Sequence, residues 1–238
     1  MNRTTCGLLL ALILVGPAPA ASIFTVNNLS ATIPDNDLNG IQNSQTISGL
    51  SGPIADVTVS LNIAGGFNGD LYVFLRHGNT LTVLLNRVGL GWENSVGYPD
   101  SGFDLTLADN AANDVHQYRT FNFSLNGGGQ VTGTWQPDGR HIDPWSAGSA
   151  FANAPRDYLL SGFDGTDPNG TWTLFAADVS AGGVSVLQAW GLAITVVPEP
   201  GRVTLLGVAL GCASFRCMRC QSRRRHTSMA AVELHRIQ

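Results

Sequence analysis

The residues best suited to chemistry are carboxylates in a short loop. Asp164-Gly-Thr-Asp167-Pro-Asn169 places two aspartates three residues apart, and Asp178 follows a little further on. Calcium takes several oxygen ligands, carboxylate and backbone carbonyl alike, and loops supply both. Asp164, Asp167 and Asp178 are therefore the candidate calcium ligands. Their spacing is not that of an EF-hand loop. Asp and Asn also favour turns by bonding their own backbone, so turn formation is the competing reading. Asp70, after Asn68-Gly69, is a further acidic residue whose position suits a turn or the start of a strand.

His77, His116 and His141 each stand beside turn residues. A hydrolase needs a histidine oriented by a carboxylate and aimed at a nucleophile. Asp114 lies near His116 and Asp143 near His141, but such proximity is common in Asp-rich loops, and solvated turn residues are the expected role. Trp92, Trp135 and Trp145 offer a second chemistry, stacking of sugar rings, with Trp172 and Trp190 assigned to the core. Cys217-Met-Arg-Cys220 has the spacing of half a zinc site and lacks a second pair. No catalytic residue is assigned.

These residues must be positioned by strands. Val57, Val59, Leu61 and Ile63 alternate with polar residues, as do Leu71, Val73 and Leu75. Leu81, Val83 and Leu85 form a third run, Trp172 and Leu174 a fourth, and Trp190, Leu192, Ile194 and Val196 a fifth. Phe121, Phe123 and Leu125 read as one strand and Val131 to Trp135 as another. Turn signals separate the runs: Gly65-Gly66, Asn68-Gly69, Asn169-Gly170 and Gly182-Gly183. Many short strands with such punctuation predict an all-β, jelly-roll-like antiparallel β-sandwich over residues 21–197. Trp135, Trp145 and Tyr158 are expected to cover an open end of it.

Charge divides the chain. There is no lysine, and residues 21–197 hold five arginines against fifteen acidic residues, a balance of −10. Such a body does not suit nucleic acid, whose phosphates need clustered cations. From Pro198 onward seven arginines face Glu199 and Glu233. The N-terminus reads as a signal peptide over residues 1–20: Arg3, an apolar run from Gly7 to Val15, then Ala18-Pro19-Ala20, with cleavage between Ala20 and Ala21. Residues 21–197 contain no cysteine, so an exported body must rely on its core alone.

Two resemblances follow. Pro198-Glu199-Pro200, the apolar run Val203 to Cys212, and the cluster Arg216, Arg219, Arg223, Arg224 and Arg225 resemble the PEP-CTERM sorting signal of exported bacterial proteins. That resemblance implies membrane retention through residues 198–225, processing by an exosortase-type protease, and delivery to the cell surface or extracellular matrix. The basic residues after the apolar run fit the positive-inside rule. Residues 226–238 read as a short helix or a disordered tail. Within it, Thr227-Ser228-Met229-Ala230 resembles the segment around a subtilisin serine, without the partner motifs or scaffold that serine needs.

The body resembles the P domain, or P/Homo B. The resemblance rests on Ile33-Pro34-Asp35, Ile54-Ala-Asp56-Val57-Thr-Val59 and Phe67-Asn-Gly69-Asp70-Leu71. It continues through Gly133-Thr-Trp135-Gln-Pro137 and Phe163-Asp-Gly165 to Asn169-Gly170-Thr-Trp172-Thr-Leu174, Asp178 and Leu187-Gln-Ala-Trp190-Gly-Leu192. The family's His before the Gly-Asp-Leu strand is replaced here by Ala64-Gly65-Gly66, and its later Gly-Asp-x-Gly turn by Gly182-Gly183-Val184-Ser185. The resemblance implies a jelly roll of about eight strands that carries no catalytic residues and acts by binding or as structure. It leaves two alternatives: an accessory, stabilising module of a separately encoded serine-type protease, or a lectin-like sandwich binding a glycan. The expected partners are the exosortase-type protease, the membrane, and an extracellular protein or glycan.

Overall fold

The computed structural model describes residues 20–197, which form a two-sheet sandwich. The strands are β1 (Ala21–Val26), β2 (Ala31–Ile33), β3 (Asp37–Ile47), β4 (Ile54–Gly65), β5 (Leu71–His77) and β6 (Thr80–Asn86). They continue with β7 (Gly102–Leu107), β8 (Ser124–Leu125), β9 (Val131–Trp135), β10 (Gly170–Asp178) and β11 (Ser185–Val196). One short helix, α1, spans Gly148–Asn153. The larger sheet runs β1-β11-β4-β7-β9-β8, with β2 also on β11; the smaller runs β3-β10-β5-β6. Every strand pair is antiparallel except β7 with β9. A parallel pair needs a long crossover, and the chain between Leu107 and Val131 provides it, including a 3-10 segment at Val115–Thr120.

The core follows the period-2 pattern. Val57, Val59, Leu61 and Ile63 of β4, with Trp190, Leu192 and Ile194 of its neighbour β11, pack in one core with Leu71, Val73 and Leu75 of β5 and Trp172 and Leu174 of β10 from the other sheet, all buried. Both core tryptophans have their polar edge satisfied, as a buried indole requires. Trp172 Nε1 donates to the Pro168 carbonyl at 3.0 Å, and Trp190 Nε1 to Asn43 Oδ1 at 2.7 Å. His77 stacks on Trp172 at 4.2 Å and closes that end of the sheet.

β6 departs from the simple alternation. Leu85 pairs with Val73 and Thr82 with Leu75, whereas Val83 pairs with Phe74, because Leu84 is inserted as a bulge. A bulge shifts the face of everything beyond it, so Thr82 points inward in place of Leu81 or Val83. Its hydroxyl donates to the Leu159 carbonyl at 2.8 Å. The strand expected around Phe121 to Leu125 shrinks to Ser124–Leu125. Of the three aromatics expected to cover one end, Trp135 is in the core, while Trp145 and Tyr158 are exposed.

The start of β7 is set by Asn68. Gly102 has φ +100°, and a Cβ there would run into the Ile63 carbonyl, so glycine is required. Buried Asn68 accepts from Gly102 N at 2.7 Å and donates to the Gly102 carbonyl at 3.1 Å and to the Tyr118 hydroxyl at 3.3 Å. Removing that amide strands two buried backbone groups, each costing about 1–3 kcal/mol. Asn68→Ala should therefore lower unfolding stability by about 3 kcal/mol in urea titrations. A loss under about 0.5 kcal/mol, the level of ordinary surface substitutions, would refute the role.

Candidate functional site

The densest polar cluster surrounds Asp138, which is fully buried. Residues 136–140 run along the open edge of β6: Asp138 N donates to the Leu84 carbonyl at 3.0 Å and Gly139 N to the Val83 carbonyl at 2.9 Å. The strap thereby drops the Asp138 carboxylate among donors. Oδ2 accepts from Asn86 N at 3.2 Å and faces His116 Nδ1 at 2.6 Å. Oδ1 accepts from Arg140 N and from Arg140 Nη1, both at 3.2 Å. Arg140 Nη2 donates to Asp114 at 2.8 Å, and Arg156 approaches the same carboxylate at 3.3 Å.

Burial alone would raise the Asp138 pKa, yet His116 and Arg140 hold it below the ordinary carboxylate value. Burial likewise opposes the charged form of His116, but the Asp138 carboxylate outweighs it and raises the imidazole above its usual pKa. Geometry agrees with charge, for the second ring nitrogen, Nε2, faces the Leu90 carbonyl at 3.0 Å. With an acceptor on each side, only the imidazolium donates at both.

This histidine–carboxylate pair is a fastener. His116 is 4 % exposed and its outer nitrogen is committed to a backbone carbonyl, so it has no free position for a nucleophile or substrate. What it holds is loop 89–98. Gly89 N donates to the His116 carbonyl at 2.7 Å, while Leu90 supplies the carbonyl to the ring. Gly89, at φ +82°, lies against the Tyr98 ring where a Cβ would clash. Asn94 folds the tip, accepting from Val96 N and Gly97 N and donating to the Gly97 carbonyl at 2.8 Å. Phe151 of α1 stacks beside the imidazole at 5.8 Å. Between this loop and the Val115–Thr120 segment lies a cleft of about 450 Å³, lined by Trp92, Glu93, Tyr98, His116, Gln117 and Arg140 among others.

The three aspartates expected to bind calcium together do not meet. Asp164 follows the 3-10 segment Leu160–Phe163, with its pKa raised by burial and then by Asp56 and Asp109. Asp167 is exposed and makes an Asx turn, accepting from Asn169 N at 2.9 Å and Asn169 Nδ2 at 2.7 Å. Those bonds lower its pKa. Asp178 ends β10, whose nine residues, at about 3.3 Å each, carry it to the opposite end of the sheet. No three His, Cys, Asp or Glu side chains among the described residues are grouped to hold a metal ion. Asp178 instead lies with Asp70 and Asp35; burial first, then those neighbours, raise its pKa to about 6.

The remaining singled-out residues are dispersed. His77 has Nδ1 3.0 Å from the Thr171 carbonyl and Nε2 2.8 Å from that of Asp167. His141 packs on Tyr158 at 4.2 Å. Trp135 is buried, with Nε1 donating to the Thr132 carbonyl at 2.9 Å, so it cannot share a stacking surface with exposed Trp92 and Trp145. Ala20 precedes β1 and Ala21 opens it, whereas Pro198, Glu199 and Pro200 lie outside the described residues.

No family model matches the chain, and no curated protein matches it. Among solved structures it is similar to the serine protease of Aeromonas sobria in complex with its chaperone, with 16% identity and a TM-score of 0.41, over 77% of this chain and 28% of that one. Against the same organism's serine protease alone, the identity is 16% and the TM-score 0.38, over the same shares. The chain thus spans 28% of the length of the proteins it matches.

Two pH effects follow. Asp178 retains a proton in the folded chain that the unfolded chain has lost, so its contribution is full below about pH 4 and gone once pH rises past about 6. Asp178→Asn should raise stability at pH 7.5 by up to about 3 kcal/mol and change it little at pH 4. Equal increments at both pH values would contradict the assignment. His116 behaves alike in a higher window: its contribution is present below its unfolded pKa and lost as pH rises through the raised folded value. Wild-type melting temperature should therefore fall across that range, and His116→Gln should flatten the fall; an unchanged slope would show that His116 is not charged in the fold.

Proposed function

We propose that this chain is an exported, non-catalytic binding or structural module of a bacterial surface or matrix. In this reading a P-domain-like body spans residues 21–197, and an exosortase-type system recognises the tail from Pro198. The observation that carries the non-catalytic part is the state of the His116–Asp138 pair. It is the arrangement closest to a catalytic dyad in the described residues, and its outer nitrogen is spent on the Leu90 carbonyl. An imidazole so engaged cannot take a proton from a hydroxyl nucleophile.

The strand layout supports the processing part. A chain beginning at Ala21 starts directly on β1, where Ala21 pairs with Thr195 of β11. β11 ends at Val196, so both proposed cuts fall at one end of the same strand pair and leave every described strand in place. The acidic body accords with this role, since repulsion from anionic surfaces keeps a released domain free of nonspecific attachment.

Protein recovered from the surface of its exporting host should begin at Ala21 and lack the residues that follow the Pro198 region, as read by intact mass. The same material should show no turnover of peptide or ester substrates. A full-length species reaching Gln238, or hydrolysis abolished by His116→Gln, would overturn the corresponding half of the proposal.

A further inference from the structure

Trp92 has no packing role to account for its position. It is 71% exposed and has neither a hydrogen bond nor a ring contact among the described residues. Trp145, the other exposed indole, donates Nε1 to the Val179 carbonyl at 3.4 Å. Keeping a bare indole in water forgoes the largest apolar burial any side chain offers. Yet the loop carrying Trp92 is rigidly fastened through His116 to Asp138, through Gly89 against Tyr98, and through the Asn94 turn. An aromatic held still at the mouth of a cleft is preorganised for a flat partner.

The cleft beside it supplies unspent hydrogen-bonding groups. The amide of exposed Gln117, the Tyr98 hydroxyl and the Trp92 Nε1–H have no partner among the described residues. Glu93 stands on the rim, and buried Arg140 keeps an Nε–H with no acceptor. One exposed aromatic face with several planar polar groups around it matches the two surfaces of a sugar ring, an apolar C–H face and a belt of hydroxyls. The walls are a loop, a 3-10 segment, the strap at Arg140 and α1, so there is no free strand edge to which a peptide could add. Charge selects further, because Arg140 is already neutralised by Asp138 and Asp114 while Glu93 adds a negative charge.

We propose that this cleft is a saccharide site in which a neutral sugar ring stacks on Trp92 and its hydroxyls bond to Gln117, Tyr98 and Glu93. The proposal rests on the binding-module reading above and names its ligand class.

The full chain in detergent micelles should bind at least one soluble neutral oligosaccharide in calorimetric titrations against gluco-, manno-, galacto- and N-acetylglucosamine oligomers, with uronic acid oligomers as the acidic comparison. Trp92→Ala should weaken that binding at least about ten-fold with an unchanged melting temperature. Trp92→Phe should restore part of it, and Trp145→Ala should leave it intact. Absence of neutral-sugar binding at millimolar ligand, preference for uronates, or equal affinity in Trp92→Ala would overturn the site. Binding accompanied by hydrolysis would keep the site and overturn the non-catalytic reading; neither activity would sink the site alone.

Discussion

The buried carboxylate of Asp138 constrains everything around it. A charge removed from water is tolerated only when donors surround it, and here they come from three stretches of chain: Asn86 at the end of β6, His116 in the crossover, and Arg140 in the strap itself. Each contact therefore fixes the position of a segment with no regular structure of its own. The strap covers the edge of β6, which would otherwise present unpaired backbone groups to other chains. His116 carries the constraint outward to Leu90 and so to loop 89–98.

The same economy governs the cations. Of the five arginines in the body, Arg87 pairs with Asp70, Arg119 with Asp100, and Arg140 and Arg156 with Asp114, while Arg76 donates to the Gly78 carbonyl. Four of the five positive charges are thus spent on fastening loops. Arg119 is the clearest case: both its Nε and Nη2 lie 2.7 Å from Asp100, the forked geometry that lysine cannot reproduce. This gives the absence of lysine a physical sense, because a domain without disulfides that ties its loops with carboxylates benefits from a planar, multi-donor cation.

Much of the sandwich was legible from alternation, and the failures have physical causes. β4, β5, β10 and β11 alternate apolar and polar residues and bury the apolar set. β3 carries no alternation signal because Asp37–Ile47 is mostly Asn, Gln, Ser and Thr and is a half-exposed edge of the smaller sheet. In β6 the alternation places Leu85 correctly in the core but puts Leu81 and Val83 on the wrong face, since no residue type announces the bulge at Leu84. The calcium expectation grouped Asp164, Asp167 and Asp178 by closeness in sequence, and an extended strand is the element that most separates such neighbours. The Asp138 cluster is the reverse case. Its members are 22 and 52 residues apart, each reads as a turn residue alone, and strand pairing through β6 is what brings them together.

Spending the cations internally also determines what the surface can recognise. With most arginines paired and the acidic excess left outside, the body offers little attraction for an anionic partner at any distance. Recognition then has to work at contact range, through apolar faces and neutral hydrogen bonds, and this requires rigid presentation because no long-range field assists it. Loop 89–98 has that rigidity through the charge it cannot itself carry, the imidazolium clamped between Asp138 and Leu90. If that imidazole loses its proton, one of its two bonds must fail, and either failure loosens the same loop. The buried ion pair and the exposed Trp92 are therefore two ends of one device, in which a charge hidden from solvent keeps an uncharged surface in register.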